Sequence, residues 1–285
     1  MKRNKMGISF TSLVNEALIE DIGNADITSL AIFSQKSQKA TAHIIAKQNG
    51  IISGIHFITE VYRILSSDVK VDLFFQDGSR VTESQKIARI EGISQILLSG
   101  ERVALNFLQH FSGIATYTHS LVEKIHHTRA KILDTRKTTP LLRKYEKEAV
   151  RHGGGYNHRM GLYDMILIKE NHIAACGSMT KAIDKAKKFS HIYKIEVETQ
   201  NLADVKEAAK AGADIIMFDN FSVEQVVEAQ NFISAHYSHI YTEASGRIND
   251  SNITMYAETG VSFISVGSII HSAPAFDFSM IVETV

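Results

Sequence analysis

The chain has no tryptophan, one cysteine and two prolines, and its charges cancel. A single cysteine, Cys176, excludes an internal disulfide and with it the stapled secreted scaffolds, so a reducing compartment is expected. Cys176 lies in the small apolar run Ile173-Ala174-Ala175-Cys176-Gly177 and reads as a buried or bystander residue rather than a nucleophile. Lys+Arg and Asp+Glu both number 31, so no nucleic-acid surface is signalled and any cationic site has to be local. No stretch approaches the roughly 20 apolar residues of a membrane span. The start, Met1-Lys2-Arg3-Asn4-Lys5, is basic, but no apolar core of signal-peptide length follows, and the cytoplasm is the expected location.

With 285 residues, 44% of them hydrophobic, the chain suits one large domain or two modest ones. Only Pro140 and Pro274 interrupt it, and no low-complexity linker marks a boundary. Residues 9–30 read as a helix followed by a turn-rich loop over 20–29. Residues 40–54 alternate as strands do, 55–66 are helical, and Val69–Phe75 and Lys86–Glu91 read as two more strands around the Asp77-Gly78 turn. This part reads as an α+β layer with a meandering sheet. Residues 94–126 carry a long helical period with a break expected near Gly113. From Lys131 onward strands and helices alternate, with about six strands, as in a short or open β/α barrel.

These later strands end in polar residues: Asp134-Thr135-Arg136-Lys137, then Lys169, Glu198, Asp219, Ser245 and Gly267. In a β/α barrel such positions share one face, which carries the active site. One pocket is therefore predicted, cationic on one side and with two acids on another, suited to an anionic substrate and a metal-bound phosphate compound. Arg136 offers a planar fork for carboxylate or phosphate and Lys137 a compact charge; the competing reading is a solvated turn. Gly153-Gly154-Gly155 lets backbone approach a ligand, and His158 and Arg159 follow as donors; a plain hinge would not need them. Lys169 fits a charge clamp or a Schiff-base lysine. Glu198 and Asp219 end consecutive strands and could hold Mg²⁺, directly or through water, act as a glycosidase pair, or pair with nearby cations. Ser245-Gly246 and Gly267-Ser268, before helix N-termini, suit a phosphate. Among the histidines, His172 and His271 lie near the strand-end loops and are functional candidates; His126, His127, His236 and His239 lack a metal-ligand pattern.

Several runs together resemble the quinolinate phosphoribosyltransferases. They are Glu101-Arg102-Val103-Ala104-Leu105-Asn106, Asp134-Thr135-Arg136-Lys137-Thr138-Thr139-Pro140, Tyr156-Asn157-His158-Arg159-Met160-Gly161-Leu162, Ile168-Lys169-Glu170-Asn171-His172, Glu196-Val197-Glu198, Phe218-Asp219-Asn220 and Glu243-Ala244-Ser245-Gly246. Ile264-Ser265-Val266-Gly267 and the early Glu20-Asp21 with Asp26-Ile27-Thr28-Ser29 add to the likeness, which runs in order over nearly the whole chain.

The resemblance implies an α/β fold with an N-terminal α/β sandwich and a C-terminal open β/α barrel of the type II phosphoribosyltransferase kind. The boundaries expected are 1–115, rejoined by the tail 272–285, and 116–271. It implies a homodimer that converts quinolinate and 5-phosphoribosyl-1-pyrophosphate (PRPP) to nicotinate mononucleotide, pyrophosphate and CO₂ in NAD biosynthesis. Arg136, His158, Arg159 and Lys169 would hold the two quinolinate carboxylates, with Arg102 reaching in from the partner chain. Lys137 would face pyrophosphate and ribose. Glu198 and Asp219 would hold the ribose hydroxyls and Mg²⁺, and Ser245, Gly246, Gly267 and Ser268 the 5′-phosphate, with His271 nearby. One departure stands out: Arg247 follows Ser245-Gly246 where the family often has a small residue. A paralogue using another heteroaromatic acid and a non-catalytic binding homologue are the competing readings.

Overall fold

The computed structural model describes residues 9–33 and 38–284; the basic run at residues 1–5 lies outside them. The chain divides into two compact units, one running up to Tyr117 and taking in the chain from Ala273, the other spanning Thr118–Ser272.

In the first unit, α1 (Phe10–Ile22) starts where Ser9 Oγ accepts the Ser12 N–H. The segment expected as a turn-rich loop instead contains a second helix, α2 (Ile27–Phe33). Asp26 makes the difference. Its carboxylate accepts the Ser29 N–H at 3.0 Å, the Ser29 hydroxyl at 2.6 Å and the Ser99 hydroxyl at 2.9 Å, so the Asp-Ile-Thr-Ser run caps a helix. Strands β1 (Lys39–Ala46) and β2 (Gly50–Ile51), helix α3 (His56–Leu65), and strands β3 (Lys70–Leu73), β4 (Arg80–Val81) and β5 (Lys86–Ile93) follow, then helix α4 (Ser94–Ile125), whose residues from Thr118 on belong to the second unit. The main sheet is antiparallel, in the order β12-β1-β5-β3, where β12 (Phe278–Thr284) comes from the tail; β2 and β4 form a separate ribbon. The alternation in β1 is the reason it works as a one-sided strand: Ala40, Ala42, Ile44 and Ala46 are buried and their neighbours are not. Tyr62 of α3 is fully buried; its hydroxyl donates to the Leu97 carbonyl at 2.9 Å and lies 3.5 Å from Met280 Sδ of β12.

The break expected near Gly113 is absent. Helix α4 runs through it, because Gly113 serves close approach rather than flexibility: a Cβ there would stand 2.2 Å from the Pro274 carbonyl oxygen.

The second unit is built on six parallel strands: β6 (Lys131–Leu133), β7 (Ile166–Ile168), β8 (Ile195–Thr199), β9 (Ile215–Asp219), β10 (Tyr241–Ser245) and β11 (Phe263–Ser265). Their order is β6-β11-β10-β9-β8-β7, so the first strand pairs with the last and the sheet stays open between β6 and β7. A single parallel bridge, Leu133 to Tyr156, covers the free edge of β6. Helices α5 (Arg143–His152), α6 (Glu170–Cys176), α7 (Met179–Phe189), α8 (Leu202–Ala211), α9 (Val223–His236), α10 (Ile253–Glu258) and α11 (Ser268–His271) link or follow the strands. Ile195, Glu196, Val197 and Thr199 of β8 are all buried, as expected for a strand covered on both faces. Among the described residues no helix is long and apolar enough to cross a membrane.

Replacing Gly113 by Ala is expected to destabilise the protein by about 1–3 kcal/mol, because the facing atom is backbone and cannot swing away. Urea unfolding of the two proteins checks this; an unchanged midpoint would show that the neighbouring tail gives way freely.

Candidate active site

Each parallel strand delivers polar groups from its C-terminal end into one cavity of about 830 Å³, whose lining comes from the second unit. The loop after β6 brings Arg136 and Lys137, and the segment after the three glycines brings His158 and Arg159. Lys169 follows β7 directly, while Glu198, Asp219 and Ser245 sit at the ends of β8, β9 and β10. Gly246, Gly267, Ser268 and His271 complete the far wall, with Arg247 beside Gly246. A Cβ at Gly267 would lie 3.2 Å from Lys137 Cδ and 3.3 Å from His271 Nε2, so three expected site residues pack together.

Two candidates fall elsewhere. Arg102 is on α4 in the first unit, with more than half its side chain exposed and Glu101 3.7 Å away. His172 does not line the cavity: it is the third residue of α6, and its Nδ1 accepts the Lys169 N–H at 3.0 Å. Its role is to cap that helix and fix the backbone from which Lys169 projects.

The acids are not free. Lys169 Nζ is ion-paired to Glu198 Oε2. Asp219 is pushed above the ordinary carboxylate range, first by burial and then by the charge of Glu198. Burial pulls the Arg159 guanidinium down, and Arg136 adds repulsion; an arginine stays charged regardless. The cavity therefore holds neighbouring cations that repel one another and two acids that repel one another, and a dianionic ligand with a divalent cation would relieve both.

Beneath the cavity lies a buried network that the sequence reading did not single out. Asp134 is fully buried and paired with the buried Lys147. It also accepts the Asn157 amide at 2.6 Å and the His158 N–H at 2.9 Å, while Lys147 donates to the His158 carbonyl at 2.9 Å. Burial pushes Asp134 up and Lys147 down; their mutual attraction opposes both shifts, and the amide donors also oppose the rise at Asp134. The pair thus pins the segment carrying His158 and Arg159 to the end of β6. Lys147 sits in the charged run Arg143–His152, and nothing in that run's composition marks it for burial.

A second buried group stands next to it. His158 Nδ1 accepts the Arg159 N–H at 2.7 Å, so the ring proton is on Nε2, which lies 3.0 Å from Glu196 and 3.8 Å from Glu243. The Ser265 hydroxyl donates to Glu243. Among the described residues these three are the one group of metal-ligand type and spacing. A histidine that binds metal through Nε2 keeps its proton on Nδ1; here Nδ1 is an acceptor, and the trio reads as a buried support instead. The 3.0 Å contact lacks hydrogen-bond alignment, leaving both Glu196 oxygens without a partner. Burial raises Glu196 to about 7 and, with the charge of Glu196 beside it, Glu243 to about 8.

Comparison with known proteins accords with this geometry. A family profile described as quinolinate phosphoribosyl transferase, C-terminal domain, matches residues 114–281, and the corresponding N-terminal domain profile matches residues 26–112. A Bacillus subtilis protein named probable nicotinate-nucleotide pyrophosphorylase [carboxylating] is 45% identical over 96% of this chain and 93% of its own. A Nicotiana tabacum quinolinate phosphoribosyltransferase [decarboxylating] is 37% identical over 94% of this chain and 80% of its own. The solved nicotinate-nucleotide pyrophosphorylase of Francisella tularensis superposes with a TM-score of 0.91 at 41% identity, covering 96% of this chain and 95% of that one.

The two raised carboxyls give a pH signature. Both bind protons more tightly in the folded chain than at their ordinary value of 4.5, so stability falls as pH rises from about 5 to about 8 and then levels off. Glu243→Gln mimics the neutral acid and removes part of that loss. Its Tm is expected to match the parent near pH 5 and exceed it by a few degrees near pH 8.5. A Tm difference that stays flat with pH would contradict burial of a proton-holding pair.

Proposed function

The chain belongs to the quinolinate phosphoribosyltransferase family, and on that premise we propose that it transfers the phosphoribosyl group of PRPP to quinolinate with loss of CO₂. The products are nicotinate mononucleotide and pyrophosphate, a step of NAD biosynthesis. One observation carries this reading: Arg136, Lys137, Arg159 and Lys169 converge with Glu198 and Asp219 in one cavity, at the ends of successive strands.

Arg136, Arg159 and Lys169 hold the two carboxylates of the pyridine, with His158 at the edge of that subsite and its Nδ1 bracing the Arg159 backbone. This turns the ring nitrogen toward ribose C1. Nitrogen attacks C1 as the bond to pyrophosphate breaks, through a state with oxocarbenium character. Lys137 faces the departing pyrophosphate and offsets its charge. Glu198 and Asp219 accept hydrogen bonds from the ribose hydroxyls and are the residues to hold Mg²⁺, directly or through water; Asp219, raised first by burial and then by the charge of Glu198, fits a divalent cation. When bound, the metal neutralises charge on the leaving group. The ring nitrogen is then positive, and that charge stabilises the carbanion left at C2 as CO₂ departs; C2 takes up a proton. The protein's main work is to orient the ring and keep water out. No covalent nucleophile is required, and Lys169, ion-paired to Glu198, serves as a clamp.

The working unit is a homodimer in which Arg102 of one chain completes its partner's site. Its exposed guanidinium supports this, as do Leu141, Leu162 and Tyr163, large apolar side chains left exposed on the loops that carry Arg136 and Arg159.

Purified protein given quinolinate, PRPP and Mg²⁺ is expected to release CO₂ and nicotinate mononucleotide in equal amounts, and Lys169→Ala to lose at least about 100-fold in kcat/KM. Quinolinate binding without either product would instead identify a binding homologue. For the shared site, mixing Arg102→Ala with Lys169→Ala chains should restore about a quarter of the parent activity, since half of a random mixture is heterodimer with one whole site. Verified heterodimers that stay inactive would refute the contribution from the partner.

A further inference from the structure

Three left-handed residues meet at one corner of the cavity: Asn220 (φ 59°), Gly246 (φ 97°) and Arg247 (φ 54°). The geometry there is tightly set. The Asn220 N–H donates to the Ser245 carbonyl at 2.8 Å, and a Cβ at Gly246 would stand 2.3 Å from Asn220 Oδ1. The Arg247 carbonyl accepts the side-chain amides of Asn252 at 3.2 Å and Asn249 at 3.5 Å. An arginine is a costly residue for this backbone, which glycine adopts freely. Strain of this kind persists where surrounding contacts hold it, and it gathers at ligand sites.

The side chain gives the position a use. Arg247 lines the cavity, is exposed, and has no carboxylate partner among the described residues. It stands where β10 ends, beside the small residues Ser245 and Gly246, and the Gly267-Ser268 turn lines the same cavity. The other cations of the cavity, Arg136, Lys137, Arg159 and Lys169, come from the first two strands and their loops. Arg247 is thus a further cation of the cavity, at the end of β10 on the side where Lys137 rests against Gly267, in a place suited to a phosphate monoester.

We propose that Arg247 is a specificity-determining residue of this chain that clamps the 5′-phosphate of the phosphoribosyl donor beside Ser245, Gly246, Gly267 and Ser268. The proposal rests on the function proposed for the cavity. A guanidinium supplies charge-assisted hydrogen bonds to a phosphate, and because Arg247 is exposed its effect weakens with salt.

The test compares the parent with Arg247→Gly and Arg247→Lys. Glycine suits the backbone and removes the charge, so the fold should keep or slightly raise its Tm while the KM for PRPP rises about tenfold at low salt. The KM for quinolinate and kcat should stay within about twofold. Lysine, which keeps charge but not the fork, should fall between. Calorimetry with ribose 5-phosphate and with pyrophosphate reads the same contact without turnover: Arg247→Gly should weaken the first about tenfold and leave the second unchanged. An unchanged or improved KM for PRPP together with unchanged ribose 5-phosphate binding would overturn the proposal, as would an equal loss for pyrophosphate. A parent that binds ribose 5-phosphate in an Arg247-dependent manner but makes no nicotinate mononucleotide would refute the proposed reaction and leave the phosphate clamp standing. A parent that binds neither phosphate compound would refute both.

Discussion

The parallel pairing of β6 with β11 is the constraint on which the site depends. It joins Lys131–Leu133 to Phe263–Ser265, the first and last strands of the sheet. Without it, Arg136 and Lys137 would lie at one end of an open row of strands and Gly267 and Ser268 at the other. With it, the Lys137 side chain rests against Gly267, and the cations of the early loops face the small residues of the late ones. The register follows from short apolar runs that admit little slippage, since a shift of one residue would turn Ile132 and Ile264 out of the core.

Burial of charge does the next part of the work. Asp134 emerges from β6 straight into a desolvated position, where an isolated carboxylate would be costly. Lys147, Asn157 and the His158 N–H satisfy it, and in doing so they fasten α5 and the glycine-rich segment to the strand end. On the other side of His158, Glu196 and Glu243 stand as a buried acid pair held above the usual range. The reactive surface is thus a layer of cations supported by a second layer in which each charge or proton has an assigned place, apart from the unpartnered oxygens of Glu196. A mobile ring or guanidinium would lose orientation at the moment charge moves from ribose to pyrophosphate, and such support prevents that.

Much of this was legible in the residues. Apolar runs ending in polar groups marked all six strands of the barrel, and order alone predicted that Arg136, Lys169, Glu198, Asp219 and Ser245 would share a face. What was missed has identifiable causes. Asp26 caps a helix through a serine three residues on, and the same polar letters also spell a loop. Gly113 looked like a helix breaker, but the Pro274 carbonyl it accommodates lies far along the chain. Lys147 reads as one more surface lysine until Asp134 is brought to it. His172 looked like a site residue because it lies near Lys169, yet its ring turns back to cap its own helix.

By itself the sequence determined the periodic pattern, the strand ends and the chemical types gathered there, because these depend on neighbours a few residues apart. It also determined, through that pattern, which side of the barrel carries the chemistry. The tertiary structure alone decided which charges are buried in pairs, which nitrogen of His158 carries the proton, where a glycine serves contact rather than a turn, and that Arg247 stands in a left-handed conformation on the cavity wall. Those outcomes depend on desolvation and contact between groups remote in the chain, and no local spacing encodes either.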